Sequence, residues 1–213
     1  MIRPRRPALF LPLFVLFLTA FSSRALVSQD LSSVVADPDM LWGSEVPDGW
    51  TGDWPEELLT VAEKSDLTRT MTTRDVYEFL DAVKWRSEHV HVFDLFTTPL
   101  GRISSAIVLA NPRVTSPREA RESGKPVIYL QGKIHPPEPE GAEASLMVLR
   151  DILFGDKGHL LDNQIIIITP IFNVDGTEKL SPQDQGPEVG GKRTNASGHD
   201  LNRDAVKLET LEV

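Results

Sequence analysis

Apolar and polar positions divide this chain into segments of different period. Val76, Phe79, Leu80 and Val83 recur at helical spacing behind Thr72 and Asp75, which are placed as a capping box with Asp in the position of the usual Glu. The pattern predicts an amphipathic helix over 73–86. Residues 89–96 alternate, 104–110 form a second extended run, and Thr98, Pro99, Leu100 and Gly101 make a turn between them, so a β-hairpin is expected. His89 and His91 share one face of its first strand, where a packed or solvated role is expected rather than metal binding. Residues 127–131 and 165–171 are nearly all apolar and β-branched, the composition of central strands covered on both faces of a parallel sheet. Between them Ala142, Leu146, Leu149 and Leu153 form one helical stripe, which Gly155 and Gly158 stop. Strand, loop, helix and strand make a crossover unit, right-handed by the general rule, and the fold class is α/β. From Asn173 to Arg203 the chain is polar, with six glycines or prolines from Pro182 to Gly198, and a long functional loop is expected there.

The first residues stand outside the fold. Arg3, Arg5 and Arg6 precede an apolar stretch at 8–21, and Ser23-Arg24-Ala25 has the small residues of a cleavage site. Fourteen residues fall short of the roughly 20 that a membrane span needs, so residues 1–25 read as an export signal rather than an anchor. The destination is then periplasmic or extracellular. The chain has no cysteine, so the fold relies on core packing and any metal site on His and carboxylate ligands.

The net charge is −9, and removing the four arginines of the signal takes it to −13. Residues 26–66 hold ten acidic side chains against Lys64 alone. Such a balance argues against nucleic acid and anionic membrane as partners, since both require positive patches. Stable membrane insertion after signal cleavage is not expected either. Residues 26–67 read as an acidic extension rich in Trp, Pro and Gly, with Trp42, Trp50 and Trp54 expected to pack on the body at 68–213 rather than to bind carbohydrate.

The candidate chemistry lies at the ends of the predicted strands. His135 and Glu138 stand three apart where a parallel strand ends and a helix begins, the edge at which open α/β sheets bind ligands. An imidazole and a carboxylate so spaced can converge on one Zn²⁺. Pro136, Pro137 and Pro139 exclude helix and stiffen the loop. Glu140 and Glu143 are expected in the first helical turn, favouring the positive end of its dipole. Downstream, Asn202 and Arg203 can form a planar fork for a carboxylate. Arg193 can stabilise a developing oxyanion, and Asp200 can take the second ring proton of His135 and fix its tautomer. Taken singly, each reads equally well as a surface charge.

Together these blocks resemble the zinc carboxypeptidase family. The resemblance rests on Ile134-His135, Glu138, Glu140-Gly141, on 167–176 ending in Asn173-Val174-Asp175-Gly176, on Lys192-Arg193-Thr194, and on Asp200-Leu201-Asn202-Arg203-Asp204. Thr98-Pro99-Leu100-Gly101-Arg102 is similar to an early segment of that family, so the likeness covers about 68–213. It implies an α/β/α sandwich around a mixed, largely parallel sheet and one zinc ion held by His135 and Glu138. It further implies Arg193 as the catalytic residue that polarises the scissile carbonyl, Asn202 and Arg203 as the grip on a substrate's terminal carboxylate, and Asp200 behind His135. Peptide or protein C-termini would be the substrates.

Two departures are visible. Pro136-Pro137 replaces the small or charged residues usual between the two ligands and is expected to tilt Glu138. The family's third ligand, a histidine, and its catalytic glutamate lie further downstream than Val213, so the chain reads as the N-terminal part of such an enzyme, with 207–210 inside a helix expected after Asp204. The rival readings are a deacylase of N-acyl amino acids and a non-catalytic remnant.

Overall fold

The computed structural model describes residues 53–178 and 191–213. The expected signal, most of the acidic extension with Trp42 and Trp50, and 179–190 of the expected long loop lie outside the described residues.

Among the described residues five α-helices and four strands follow one another as α1 (Val61–Lys64), α2 (Thr73–Lys84), β1 (Val90–Thr97), β2 (Ile103–Leu109), α3 (Pro117–Ser123), β3 (Val127–Gln131), α4 (Glu140–Phe154), β4 (Ile165–Thr169) and α5 (Val174–Thr177). Both halves of the Thr72–Asp75 capping box form at α2, so an Asp substitutes for the usual Glu without loss of the reciprocal bonds. Its Val76, Phe79, Leu80 and Val83 are all buried, as the 3.6-residue period requires. The hairpin closes where Thr98 N donates to Arg102 O and Gly101 N to Thr98 O.

The sheet runs β1-β2-β4-β3. The β1–β2 and β2–β4 pairs are antiparallel, with Ile107 opposite Ile168, and β3–β4 is parallel, with Ile128 opposite Ile166. The crossover through α4 therefore joins parallel neighbours, and the α/β class with a mixed sheet is observed. One described pairing of three is parallel, because the hairpin strand β2 pairs antiparallel with both of its neighbours. The two apolar strands differ in a way their composition hides. β4 is central and buried, whereas β3 lies at the sheet edge with Val127, Ile128 and Tyr129 40–47% exposed. Residues 127–131, expected as a central strand, thus form an edge of the described sheet.

The main core lies between the sheet and the pair α2 and α4, where Phe79, Val83, Leu146, Leu149, Ile107 and Ile168 meet. Each such side chain contributes about 1.5–3 kcal/mol of burial. A smaller cluster of Val108, Val114 and Ile165 occupies the opposite face under Ala120 of α3. Trp54 docks as expected, its ring 4.8 Å below the guanidinium of Arg150. Arg150 also forks onto Glu63 at 2.8 and 2.9 Å and donates to Leu58 O, which ties the segment before α2 to α4 through a buried ion pair.

Glu140 and Glu143 occupy the first turn of α4, but Glu143 does more than face the dipole. It is 7% exposed and its Oε2 accepts from Ala62 N, and burial pushes its pKa above 4.5. The helix expected after Asp204 does not form. Asp204 instead accepts from Glu209 N and Thr210 N at 2.9 and 2.8 Å, which folds 205–210 back as turns.

Candidate metal centre at the strand ends

The site starts where β3 and β4 stop. Gly132 N donates to Thr169 O and Phe172 N to Gly132 O, so the two exits continue side by side beyond the strands. A Cβ at Gly132 would stand 2.4 Å from Pro170 O, and glycine alone permits that approach. Lys133 follows with a φ of +45°, a left-handed conformation that costs a non-glycine residue roughly 1–2 kcal/mol. Its side chain is buried and donates to Met71 O, and burial lowers its pKa to about 8.

The chain then turns, Glu138 N donating to His135 O at 2.9 Å, which brings the two predicted ligands onto one side. His135 is 4% exposed and both its ring nitrogens meet carboxylates. Nδ1 lies 3.0 Å from Glu138 Oε1 and Nε2 lies 2.9 Å from Asp200 Oδ1. The hydrogen bond from His135 is the main cause holding the Asp200 pKa below 3.8; burial works against it and Arg193 with it.

The second part of the site comes from 193–204. Asn195 shapes it, its Oδ1 accepting from Ser197 N and His199 N, and buried Leu201 pins the turn at Leu201–Arg203. Asp200 caps that turn by accepting from Asn202 N with the oxygen that faces His135. Arg193 reaches back with Nε donating to Asp200 Oδ2 at 3.1 Å and Nη1 to Glu138 Oε1 at 3.4 Å. The structure thus brings together four of the six expected residues: His135, Glu138, Asp200 and Arg193. Asn202 and Arg203 stand beside them on the same turn with exposed side chains, and Arg203 Nη1 donates to Asn202 O.

The donor set fits a cation. A neutral imidazole has one N–H, so with Nε2 donating to Asp200 the Nδ1 lone pair would face the lone pairs of Glu138. A second ring proton or a metal ion between them resolves that conflict. Two donors on one tetrahedral zinc lie about 3.3–3.5 Å apart at bond lengths of about 2.0–2.2 Å, close to the 3.0 Å seen here. The cluster supplies two donors, and among the described residues no group of three or more His, Cys, Asp or Glu is arranged to hold a metal ion.

Three contributors were given no role by sequence reasoning, although Asn173 and Asp175 stand in a block that carries the resemblance. Asn173 is 1% exposed and touches the loops of both His135 and Arg193. Asp175, fully buried, accepts from Thr98 Oγ1, Leu100 N and Arg102 Nη1 and so ties the hairpin turn to α5. Lys133 is the third. The Asn-x-x-Gly spacing of Asn173 and Gly176 was the available sign, since the Asn173 side chain accepts from Gly176 N as a helix cap does.

The zinc carboxypeptidase family matches residues 76–205, more than half of the chain, and the protein belongs to that family. Solved structures that share its fold include two bacterial carboxypeptidases. One is the metallo-carboxypeptidase from Burkholderia cenocepacia, at 24% identity and a TM-score of 0.50 over 64% of this chain and 33% of that one. The other is a candidate carboxypeptidase from Burkholderia mallei ATCC 23344, also at 24% identity and a TM-score of 0.50, over 65% of this chain and 32% of that one. The chain therefore spans about a third of the length of these structures. No curated protein matches its sequence. Family membership implies zinc, and among the described residues no helix is long and apolar enough to cross a membrane.

Proposed function

We propose that this chain carries the first half of a zinc metallocarboxypeptidase centre, in which His135 and Glu138 hold the metal. The observation that supports this most is the double engagement of His135, with one nitrogen on Asp200 and the other aimed at Glu138. Asp200 keeps the proton at Nε2 and leaves the Nδ1 lone pair for the ion, the role carboxylates play behind metal-binding histidines. A zinc ion held there supplies Lewis acidity toward a substrate carbonyl and makes water a stronger nucleophile near neutral pH.

The remaining steps belong to the side chains. Arg193 is half exposed, and its Nη1 sits at the long distance of 3.4 Å from Glu138, so the guanidinium can leave that partner for an oxygen acquiring negative charge. Asn202 and Arg203, exposed on the turn that Asp200 caps, are suited to grip a terminal carboxylate, Arg through two parallel donors. Peptide C-termini are the substrate class that combines such a carboxylate with an adjacent amide carbonyl. Hydrolysis by the complete centre needs a third ligand and a general base in addition to these residues.

Zinc analysis of the purified chain beside its His135→Ala variant tests this reading. Wild type is expected to bind zinc, and the variant is expected to bind none. Equal zinc in both would place the metal elsewhere and remove the reading. Export through residues 1–25, with 26–67 as an extension, belongs to the same proposal. It predicts that expression with a secretion pathway yields a product beginning at Leu26 by mass; an uncleaved product would contradict it.

A further inference from the structure

Arg193 is held weakly by its own side chain. Both of its ion pairs involve a guanidinium 48% exposed, and such pairs do little to fix a geometry in water. The order of this residue must come from its backbone. Lys192 N donates to Gly176 O at 2.7 Å, and a Cβ at Gly191 would stand 2.1 Å from the same oxygen, so the chain entering Arg193 lies directly on α5.

The first residue of that packing surface is Asn173. Its carboxamide has two donors and one acceptor group. Oδ1 accepts from Gly176 N at 2.9 Å, while Nδ2 stands between two carbonyls, Ile134 O at 3.5 Å and Arg193 O at 3.4 Å. Ile134 lies 39 residues before Asn173 and Arg193 lies 20 after it. Ile134 O is one peptide plane from His135, and Arg193 O belongs to the cation itself. Asn173 N also donates to Lys133 O at 3.0 Å, so the amide is built on the ladder that extends β3 and β4.

We infer that Asn173 is a positioning residue, which sets Arg193 against His135 by bridging the carbonyl before the histidine to the carbonyl of the arginine. The assignment rests on the metal-centre reading for its purpose, but not for its test. A residue needed only to cap α5 would be replaceable by Asp or Ser, both of which accept from a backbone N–H as well as Asn does. Neither can replace the bridge. Ionised Asp turns the donor into an acceptor facing two carbonyls, and Ser is too short to reach both.

The experiment is ¹⁵N NMR of the 213-residue chain without metal, reading the Nε–H resonance of Arg193, which Arg193→Lys identifies by its loss. In wild type this N–H donates to Asp200, and its resonance is expected apart from those of solvent-exposed arginines. In Asn173→Asp and Asn173→Ser it is expected to move to the exposed position and to exchange with water faster, while circular dichroism remains that of the folded chain. An Arg193 resonance unchanged in either folded variant overturns the assignment. If both variants unfold, Asn173 is a general stability element and the assignment is equally rejected. Zinc takes no part in the readout, so a chain that binds none would defeat the metal-centre proposal and leave this inference standing.

Discussion

Two arginines in this molecule each join oxygens from distant parts of the chain, with different consequences. Arg150 is 4% exposed, forks onto a Glu63 carboxylate of 1% side-chain exposure, and is covered by Trp54. Arg193 bridges Glu138 and Asp200 at longer range with nearly half its side chain in solvent. The first pair cannot exchange partners without stranding a charge in the core; the second can. An arrangement meant to hold two segments together benefits from the former, and one meant to meet a substrate oxygen needs the latter. Burial separates the architectural arginine from the one to which the proposed function gives a chemical role, although both join distant oxygens.

Removing the architectural arginine is the largest way to break this contrast. Arg150→Ala leaves Glu63 buried and unpaired and is expected to cost about 3–5 kcal/mol, read as the loss of unfolding free energy in urea. The double variant Arg150→Met/Glu63→Leu should recover most of it, and failure to recover would show that packing on Trp54 dominates instead. Next comes the carboxylate behind the histidine. Asp200→Asn is expected to weaken zinc binding about 10–100-fold in competition with a metal-sensitive dye, with no comparable loss of folding.

A smaller effect concerns Glu143, whose pKa is raised, first by burial. The folded protein keeps that proton to higher pH than the unfolded chain does. The stability Glu143 contributes is therefore complete below 4.5 and is lost as pH rises through the folded value. Glu143→Gln should flatten the dependence of melting temperature on pH above 4.5, and an unchanged slope would assign it to another group. The smallest effect is the most pointed: Arg193→Ala is expected to move the melting temperature by less than about 4 °C. A drop as large as that of Arg150→Ala would abolish the distinction between the two arginines.

Much of this architecture is written in period and composition. α2 and its cap, the hairpin, α4 and the crossover to β4 follow from apolar repeats and turn residues, because burial on one face imposes the repeat. That His135, Glu138, Arg193 and Asp200 would come together at the strand ends was legible in their residue types and positions. The position of β3 was not, since an edge strand and a central strand can share one composition and only the pairing order separates them. Glu63 and Glu143 look like surface acids in a helix turn; their burial depends on partners 87 and 81 residues away. Asn173 was hidden in a stretch read as loop, its role being visible only once three segments meet. The helix expected after Asp204 failed because the Asp204 carboxylate captures Glu209 N and Thr210 N for itself.

The central claim is that Asp200 holds the proton on one nitrogen of His135 so that the other faces the metal. Its most direct test is ¹⁵N NMR of the histidine rings during zinc addition, with His135→Ala for assignment. The account predicts that Nδ1 of His135 shifts on binding while Nε2 stays protonated and hydrogen-bonded. A shift at Nε2, or no change at either nitrogen while zinc is bound, would contradict it.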